Sequence, residues 1–87
     1  MKLVFNEQFE KVVNDEIITL FKDEVDTVFV LNKIESLILS SFETPFDAEE
    51  AYKVLLSQLK DVTVTERDYY DFIKQLQEKR ILVEVND

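Results

Sequence analysis

The 87-residue sequence contains no histidine, no cysteine and no glycine. Without histidine or cysteine it has no imidazole base, no thiolate nucleophile, no disulfide and no zinc site of the usual kind. Without glycine it has neither a glycine-rich phosphate-binding loop nor a dinucleotide-binding fingerprint. Its serines lack a histidine partner, and Lys33 alone is a weak base for them. These absences predict a protein that is not an enzyme and holds no metal ion or other cofactor.

Long apolar segments are absent as well. The first residues are interrupted by charge too early for a signal peptide. No apolar run approaches the about 20 residues that span a membrane. We therefore expect a cytoplasmic protein without membrane contact.

The charge is strongly acidic, with a formal net charge of −9. Residues 65–80 hold four basic and four acidic side chains, whereas residues 1–64 hold six basic and thirteen acidic ones. A neutral segment on an acidic body binds phosphate backbones poorly, so no nucleic-acid partner is expected. A winged-helix nucleic-acid-binding regulator is kept as the alternative. The carboxylates are interpreted as solvated surface and helix caps.

The size and composition predict one domain that spans residues 1–87. Hydrophobic residues make up 46% and charged residues 33% of the chain. A chain of this mass can bury roughly 64% of its unfolded surface, which is enough for one modest core.

The first half of the chain is rich in β-branched and aromatic residues, which favour strands. Short polar turns separate the apolar runs, and the first of these turns is predicted at Asn14-Asp15. Strands are predicted near residues 9–13, at 16–21 and at 25–31. The short spacings indicate an antiparallel meander.

The second half carries helix start signals. Asn32 and Asp47 each precede an acidic residue at the third helical position, as in a capping box. Thr65 opens a third helix with an aspartate there. The first helix, which includes Phe42 in its apolar stripe, is expected to stop at Thr44-Pro45. The tail 81–85 is interpreted as a short strand or as an extended segment packed on the core. This order predicts an α+β fold, with a three-stranded antiparallel sheet followed by three helices.

Two surfaces stand out as candidate binding sites. The third helix is predicted to bury an apolar stripe of Tyr69, Phe72, Ile73 and Leu76. On its helical wheel, one flank of this stripe combines Tyr70 with two cations and an amide, which are Arg67, Lys74 and Gln77. The strand at 25–31 is apolar on both faces, because Val28 and Val30 lie opposite Phe29. We expect Leu3-Val4-Phe5, a second subunit or a binding partner to cover the second face.

Several segments form a pattern of an apolar hairpin, an aromatic-x-Leu-Asn element, a first helix with an Ile/Leu pair and a third helix with spaced apolar positions. These segments are Asp15–Leu20, Phe29-Val30-Leu31-Asn32, Ser36–Leu39, Val64–Leu76 and Ile81-Leu82. Over about residues 10–83 this pattern resembles the PqqD-like family, the peptide-recognition domains of ribosomal peptide natural-product pathways. Many members have Asp-Gly between the first two helices, where this chain has no glycine.

The resemblance implies a small winged-helix-like domain that binds the leader segment of a precursor peptide. In this family the leader adds a strand to the third strand, against the third helix, and is presented to a modifying enzyme. That enzyme is a radical-SAM protein or, in lasso-peptide maturation, a leader peptidase and cyclase. The open strand edge also leaves a homodimer as an option. The implied peptide-binding residues are Thr27, Val28, Phe29, Val30, Leu31, Arg67, Tyr70, Ile73, Lys74 and Gln77.

Overall fold

A computed structural model of the chain describes residues 1–22 and 25–86, and for residues 25–28 the description is confined to the backbone. The expected α+β class is confirmed. Three antiparallel strands precede the helices as predicted, and further short strands form a second sheet. The elements are β1 (Lys2–Phe5), β2 (Phe9–Asn14), β3 (Ile17–Lys22), β4 (Val25–Leu31), α1 (Lys33–Ser40), β5 (Phe46–Asp47), α2 (Ala48–Gln58), α3 (Glu66–Glu78) and β6 (Leu82–Val85).

The strands form two antiparallel sheets of three strands each. The hairpin sheet has the order β2-β3-β4, and the terminal sheet has the order β5-β1-β6. In the hairpin sheet, Ile18 and Leu20 point inward and are buried, whereas the alternate residues point outward. The strand predicted at 16–21 is therefore confirmed, as β3 at Ile17–Lys22.

The turn between β2 and β3 lies one residue later than predicted. Asn14 is still paired with Ile17, and the two loop residues are Asp15 and Glu16, with φ of 51° and 66°. A type I′ loop, one of the two-residue loops that match the strand twist, requires positive φ at both positions. A chain without glycine meets this requirement with an aspartate and a glutamate, at some cost in backbone strain.

The three predicted helix starts are confirmed. The Asn32 side chain accepts from the Glu35 N–H at 2.8 Å, and Glu35 Oε1 accepts from the Asn32 N–H at 3.0 Å. Asp47 caps α2 by accepting from the Glu50 N–H, and Thr65 Oγ1 caps α3. Each cap satisfies an amide that has no partner within its own helix.

The expected end of the first helix is wrong. Helix α1 ends at Ser40, so Phe42 lies beyond it and is fully buried. The Phe42 carbonyl accepts from the Phe5 N–H at 2.8 Å. Because α1 ends at Ser40, the backbone of Phe42 can bind β1 while the Phe42 ring is buried in the core.

The two ends of the chain meet in the terminal sheet. β1 pairs with β6 from Lys2↔Val85 to Phe5↔Leu82, so the tail forms a strand. The N-terminal segment does not cover the outer face of β4, because Val30 remains 65% exposed. Its apolar side chains are used in the other sheet, where Leu3 is fully buried.

The core lies between the sheets and the helices. Ser36 is buried in it: its hydroxyl accepts from the Ile18 N–H at 3.0 Å and donates to the Leu31 carbonyl at 3.2 Å, which ties α1 to the hairpin sheet. No helix among those described is long and apolar enough to cross a membrane. The largest fully buried side chains are Leu3, Ile18, Leu20, Leu39, Phe42, Leu55, Tyr69, Ile73, Ile81 and Leu82.

Candidate functional site: the groove between strand 4 and helix 3

An open groove runs between β4 and α3. Its cavity measures about 250 Å³. We call it the β4–α3 groove. The residues that line it are Phe29, Val30, Leu31, Glu35, Phe72, Gln75, Leu76, Lys79 and Ile81.

One edge of β4 forms a side of this groove and is open. β4 is the last strand of the hairpin sheet and pairs on one side with β3. Within the described residues, no strand pairs with its other edge. An open strand edge presents backbone N–H and C=O groups that a further extended segment can bind.

Apolar side chains form the base of the groove. Leu31 is buried and Phe29 is half-buried, and the exposed Val30 between them borders the groove at the strand edge. From the helix side, the half-buried Phe72 adds a second ring. Leu76 and Ile81 connect this surface to the core. The alternation of the strand and the helical spacing of residues 72, 75, 76 and 79 thus give the groove its two walls.

Two charged side chains lie at different ends of the groove. Lys79 Nζ is 5.5 Å from the centre of the Phe29 ring, in a cation–π contact. Glu35 lies at the Leu31 end, because its Oε1 accepts from the N–H of the next residue, Asn32. The groove can therefore bind an extended chain through backbone hydrogen bonds, apolar contacts and one charge of each sign.

The other flank of α3 has a different structure. The Tyr70 ring lies 5.0 Å from Tyr69 and 6.4 Å from Tyr52 of α2, measured between ring centroids. Desolvation and the nearby Glu49 carboxylate raise the pKa of Tyr70. Tyr69 is buried and its hydroxyl donates to the Ala48 carbonyl at 2.7 Å. These contacts place the Tyr70 ring, which remains 39% exposed, at the border of the packing between α2 and α3.

The structure brings some of the sequence-predicted site residues together and separates others. Phe29, Val30 and Leu31 line the groove. The backbones of Thr27 and Val28 belong to β4, and their side chains lie outside the described part of the chain. Ile73 is a buried core residue, 2% exposed.

The cationic flank that the sequence suggested is not part of this groove. Of the described residues that line the cavity, none is Arg67, Tyr70, Lys74 or Gln77. Tyr70 and Lys74 lie about 160° from Phe72 on the helical wheel, one in each direction. Peptide contact with that flank stays a prediction, and the Phe72 and Tyr70 variants described below distinguish it from binding in the groove.

Six groove residues were missed by the sequence analysis: Glu35, Phe72, Gln75, Leu76, Lys79 and Ile81. Phe72 was assigned to the core, and Glu35 was interpreted only as a cap. A signal was present, since Phe72 and Lys79 are seven residues apart and so share one helix face. The sequence alone gave no reason to prefer that face to the Tyr70 flank.

A second, larger cavity of about 380 Å³ lies on the other side of α1. Its walls are mostly apolar, and a 3.9 Å ion pair joins Glu16 and Lys33 at its rim. The hydroxyls of Ser36 and Ser40 already bind backbone carbonyls. Over the residues described, no cluster of three or more acidic side chains could hold a metal ion.

One solved structure is similar over nearly the whole chain. It is described as TbiB1 in complex with the TbiA(beta) leader peptide. The superposition has a TM-score of 0.76 at 24% sequence identity, and it covers 97% of this chain and 99% of that one. The chain has the TbiB1 fold. No protein-family model matches the sequence, and the search of curated proteins also found no match.

Proposed function

We propose that the chain binds the leader segment of a ribosomally made precursor peptide in the β4–α3 groove and presents it to a modifying enzyme. The observation that carries the proposal is the open edge of β4 beside an apolar groove that Phe29 and Phe72 line from its two sides. A bound segment would add a strand to the hairpin sheet, with backbone hydrogen bonds for affinity and groove contacts for selectivity.

Two independent lines support this assignment. The sequence resembles a family of peptide-recognition domains, and the fold is shared with TbiB1, whose structure contains a leader peptide. In TbiB1 the complex was formed with the TbiA(beta) leader peptide, so a small domain of this fold accommodates such a ligand.

The enzyme that receives the peptide is proposed to be a radical-SAM protein or a leader peptidase. This rests on the family resemblance, and the gene neighbourhood tests it. A neighbouring gene for a short precursor peptide beside one for either enzyme would support the proposal. A neighbourhood that encodes neither would count against it.

The binding site is tested with a displayed library of random 12-residue peptides, selected against the full chain. Selected peptides are expected to slow hydrogen exchange at those amides within Phe29–Leu31 that point to the open edge of β4, since the alternate amides face β3. Phe72→Leu is expected to weaken their binding by about tenfold, because it removes a ring from the groove wall. Tyr70→Leu is the matched control, and it should leave the affinity within about twofold.

The opposite ranking of these two variants would move the site to the flank formed by Arg67, Tyr70 and Lys74. Circular dichroism and thermal midpoints establish that both variants remain folded. Failure to select any peptide that protects the β4 amides would overturn the proposal. Binding of a labelled DNA duplex at moderate salt would instead favour the nucleic-acid regulator.

A homodimer could form through the same open edge of β4 that the peptide is proposed to bind. If two copies pair through their β4 edges, a selected peptide should dissociate them. Sedimentation of the chain with and without peptide tests this. A dimer that persists at saturating peptide would place the contact between copies elsewhere.

A further inference from the structure

The two charges of the β4–α3 groove are fixed at known places along β4. Lys79 is held over the Phe29 ring, and Glu35 is held beside Leu31 by its capping bond to Asn32. Phe29 and Leu31 are two residues apart and point to the same face, so their Cα atoms are about 7 Å apart. A peptide strand has the same spacing between its alternate side chains.

A strand added to β4 aligns its side chains with these positions. In an antiparallel pair, directly opposite residues place their Cβ atoms about 4.5–5.5 Å apart on the same face of the sheet. The peptide residue opposite Phe29 therefore meets the Lys79 ammonium. The residue opposite Leu31 meets the Glu35 carboxylate.

Both charges are available for such pairs. The Lys79 ammonium lies over the Phe29 ring. Within the described residues, no carboxylate lies within ion-pair distance of this ammonium. Glu35 uses Oε1 for the Asn32 N–H, and no described cation pairs with its carboxylate. The rest of the surface is acidic, with a net charge of −9 for the chain, so anionic side chains are unfavourable where no cation faces them.

We infer that Lys79 and Glu35 select the sequence of the bound peptide: an acidic side chain opposite Phe29 and a basic one opposite Leu31. This inference rests on the proposed function. Antiparallel pairing is slightly more stable per residue than parallel pairing. A peptide antiparallel to β4 passes Leu31 before Phe29, so its pattern from N to C is basic-x-acidic. Each charge pair is partly exposed and is expected to change affinity by about two- to fivefold.

The test is the peptide-library selection, repeated on variants of the chain. The wild type is expected to enrich Lys or Arg followed two residues later by Asp or Glu. Lys79→Glu should replace the acidic preference by a basic one and leave the apolar preferences unchanged. Glu35→Gln keeps the cap acceptor and should abolish only the basic preference. Lys74→Glu, an equal charge reversal on the opposite flank, is the control.

The outcomes separate this inference from the proposed function. Peptides that protect the β4 amides but keep the same charge preferences in Lys79→Glu would overturn the inference and leave peptide binding intact. A response of the pattern to Lys74→Glu would do the same. The reversed order, acidic-x-basic, would overturn the antiparallel orientation. If no selected peptide protects Phe29–Leu31, the proposed function itself fails.

Discussion

The terminal sheet and the hairpin sheet have equal numbers of strands, but they join different parts of the chain. In the terminal sheet, β1 is central, and both of its edges are paired by segments far away in sequence. In the hairpin sheet, all strands are neighbours in sequence, and β4 leaves an edge beside the groove. The outer face of this sheet is also exposed, with Val12 at 52% and Val30 at 65%.

This difference indicates a division of roles. The terminal sheet holds both ends of the chain against the core through buried residues such as Leu3 and Leu82. The hairpin sheet is anchored on its inner face and offers its edge and outer face for contacts. A small domain can present an open strand without losing stability when other elements close its core. Four predictions test this comparison, from the largest expected effect to the smallest.

Leu3→Ala should destabilise the protein by about 2–5 kcal/mol, because it removes a fully buried side chain and leaves a cavity. Val30→Thr, on the exposed face of the hairpin sheet, should change the free energy of unfolding by less than about 0.5 kcal/mol. Urea denaturation of both variants measures the contrast. Similar losses in the two variants would show that the outer face of β4 is covered.

Ser36→Ala should cost about 1–3 kcal/mol, because the Ile18 N–H loses its side-chain acceptor in a buried site. The loss should be accompanied by faster hydrogen exchange at the Ile18 amide. Ser57→Ala, on an exposed part of α2, is the matched control and should be close to neutral. Unchanged exchange at Ile18 would mean that water replaces the hydroxyl.

Replacing a residue at positive φ by glycine should stabilise the protein, and one such residue lies beside each sheet. Arg80, with φ of 61°, follows α3, and the Ile81 N–H donates back to the Leu76 carbonyl as in a Schellman motif. Arg80→Gly and Glu16→Gly should each add about 0.5–1 kcal/mol, since the steric cost of this conformation exceeds the entropy cost of glycine. The gains should be additive, because one lies beside each sheet. A loss of stability in either variant would contradict the assigned strain.

The smallest effect is expected at Asp47, whose carboxylate fixes the start of the terminal sheet. The Glu50 N–H and, next, the Met1 ammonium at 3.0 Å lower the pKa of Asp47 below its ordinary value of 3.8. A lowered pKa in the folded state stabilises the fold above the ordinary value, and this contribution is lost as the pH falls through the folded-state pKa. The wild type should therefore lose more stability between about pH 5 and pH 2 than Asp47→Asn does.

Asparagine is an equally good N-cap, so the variant removes the charge and keeps the cap. The measurement is the urea midpoint of both proteins across this pH range. Parallel curves would show that the charge of Asp47, in its contacts with the Glu50 N–H and the Met1 ammonium, does not affect stability.

Local sequence signals were sufficient for much of the fold. The caps at Asn32, Asp47 and Thr65 act on amides within the next turn, so their effect does not depend on the rest of the molecule. The strands of the hairpin sheet follow from β-branched and aromatic residues and from short polar connections in the same way. The turn residues were placed one position too early, because both Asn14-Asp15 and Asp15-Glu16 are polar and neither contains the glycine that normally marks such a turn.

The remaining features depended on contacts between distant residues. The pairing of β1 with β6 joins Lys2 to Val85, and no local pattern specifies such a partner. The apolar stripe of α3 has two flanks, and the helical wheel treats them alike. The flank with Phe72 and Lys79 became a groove wall because it faces Phe29, while the Tyr70 flank packs toward Tyr52. The sequence determined the elements and their capping through neighbouring residues, whereas the position of α3 against β4, which forms the groove, arose only from packing of the whole core.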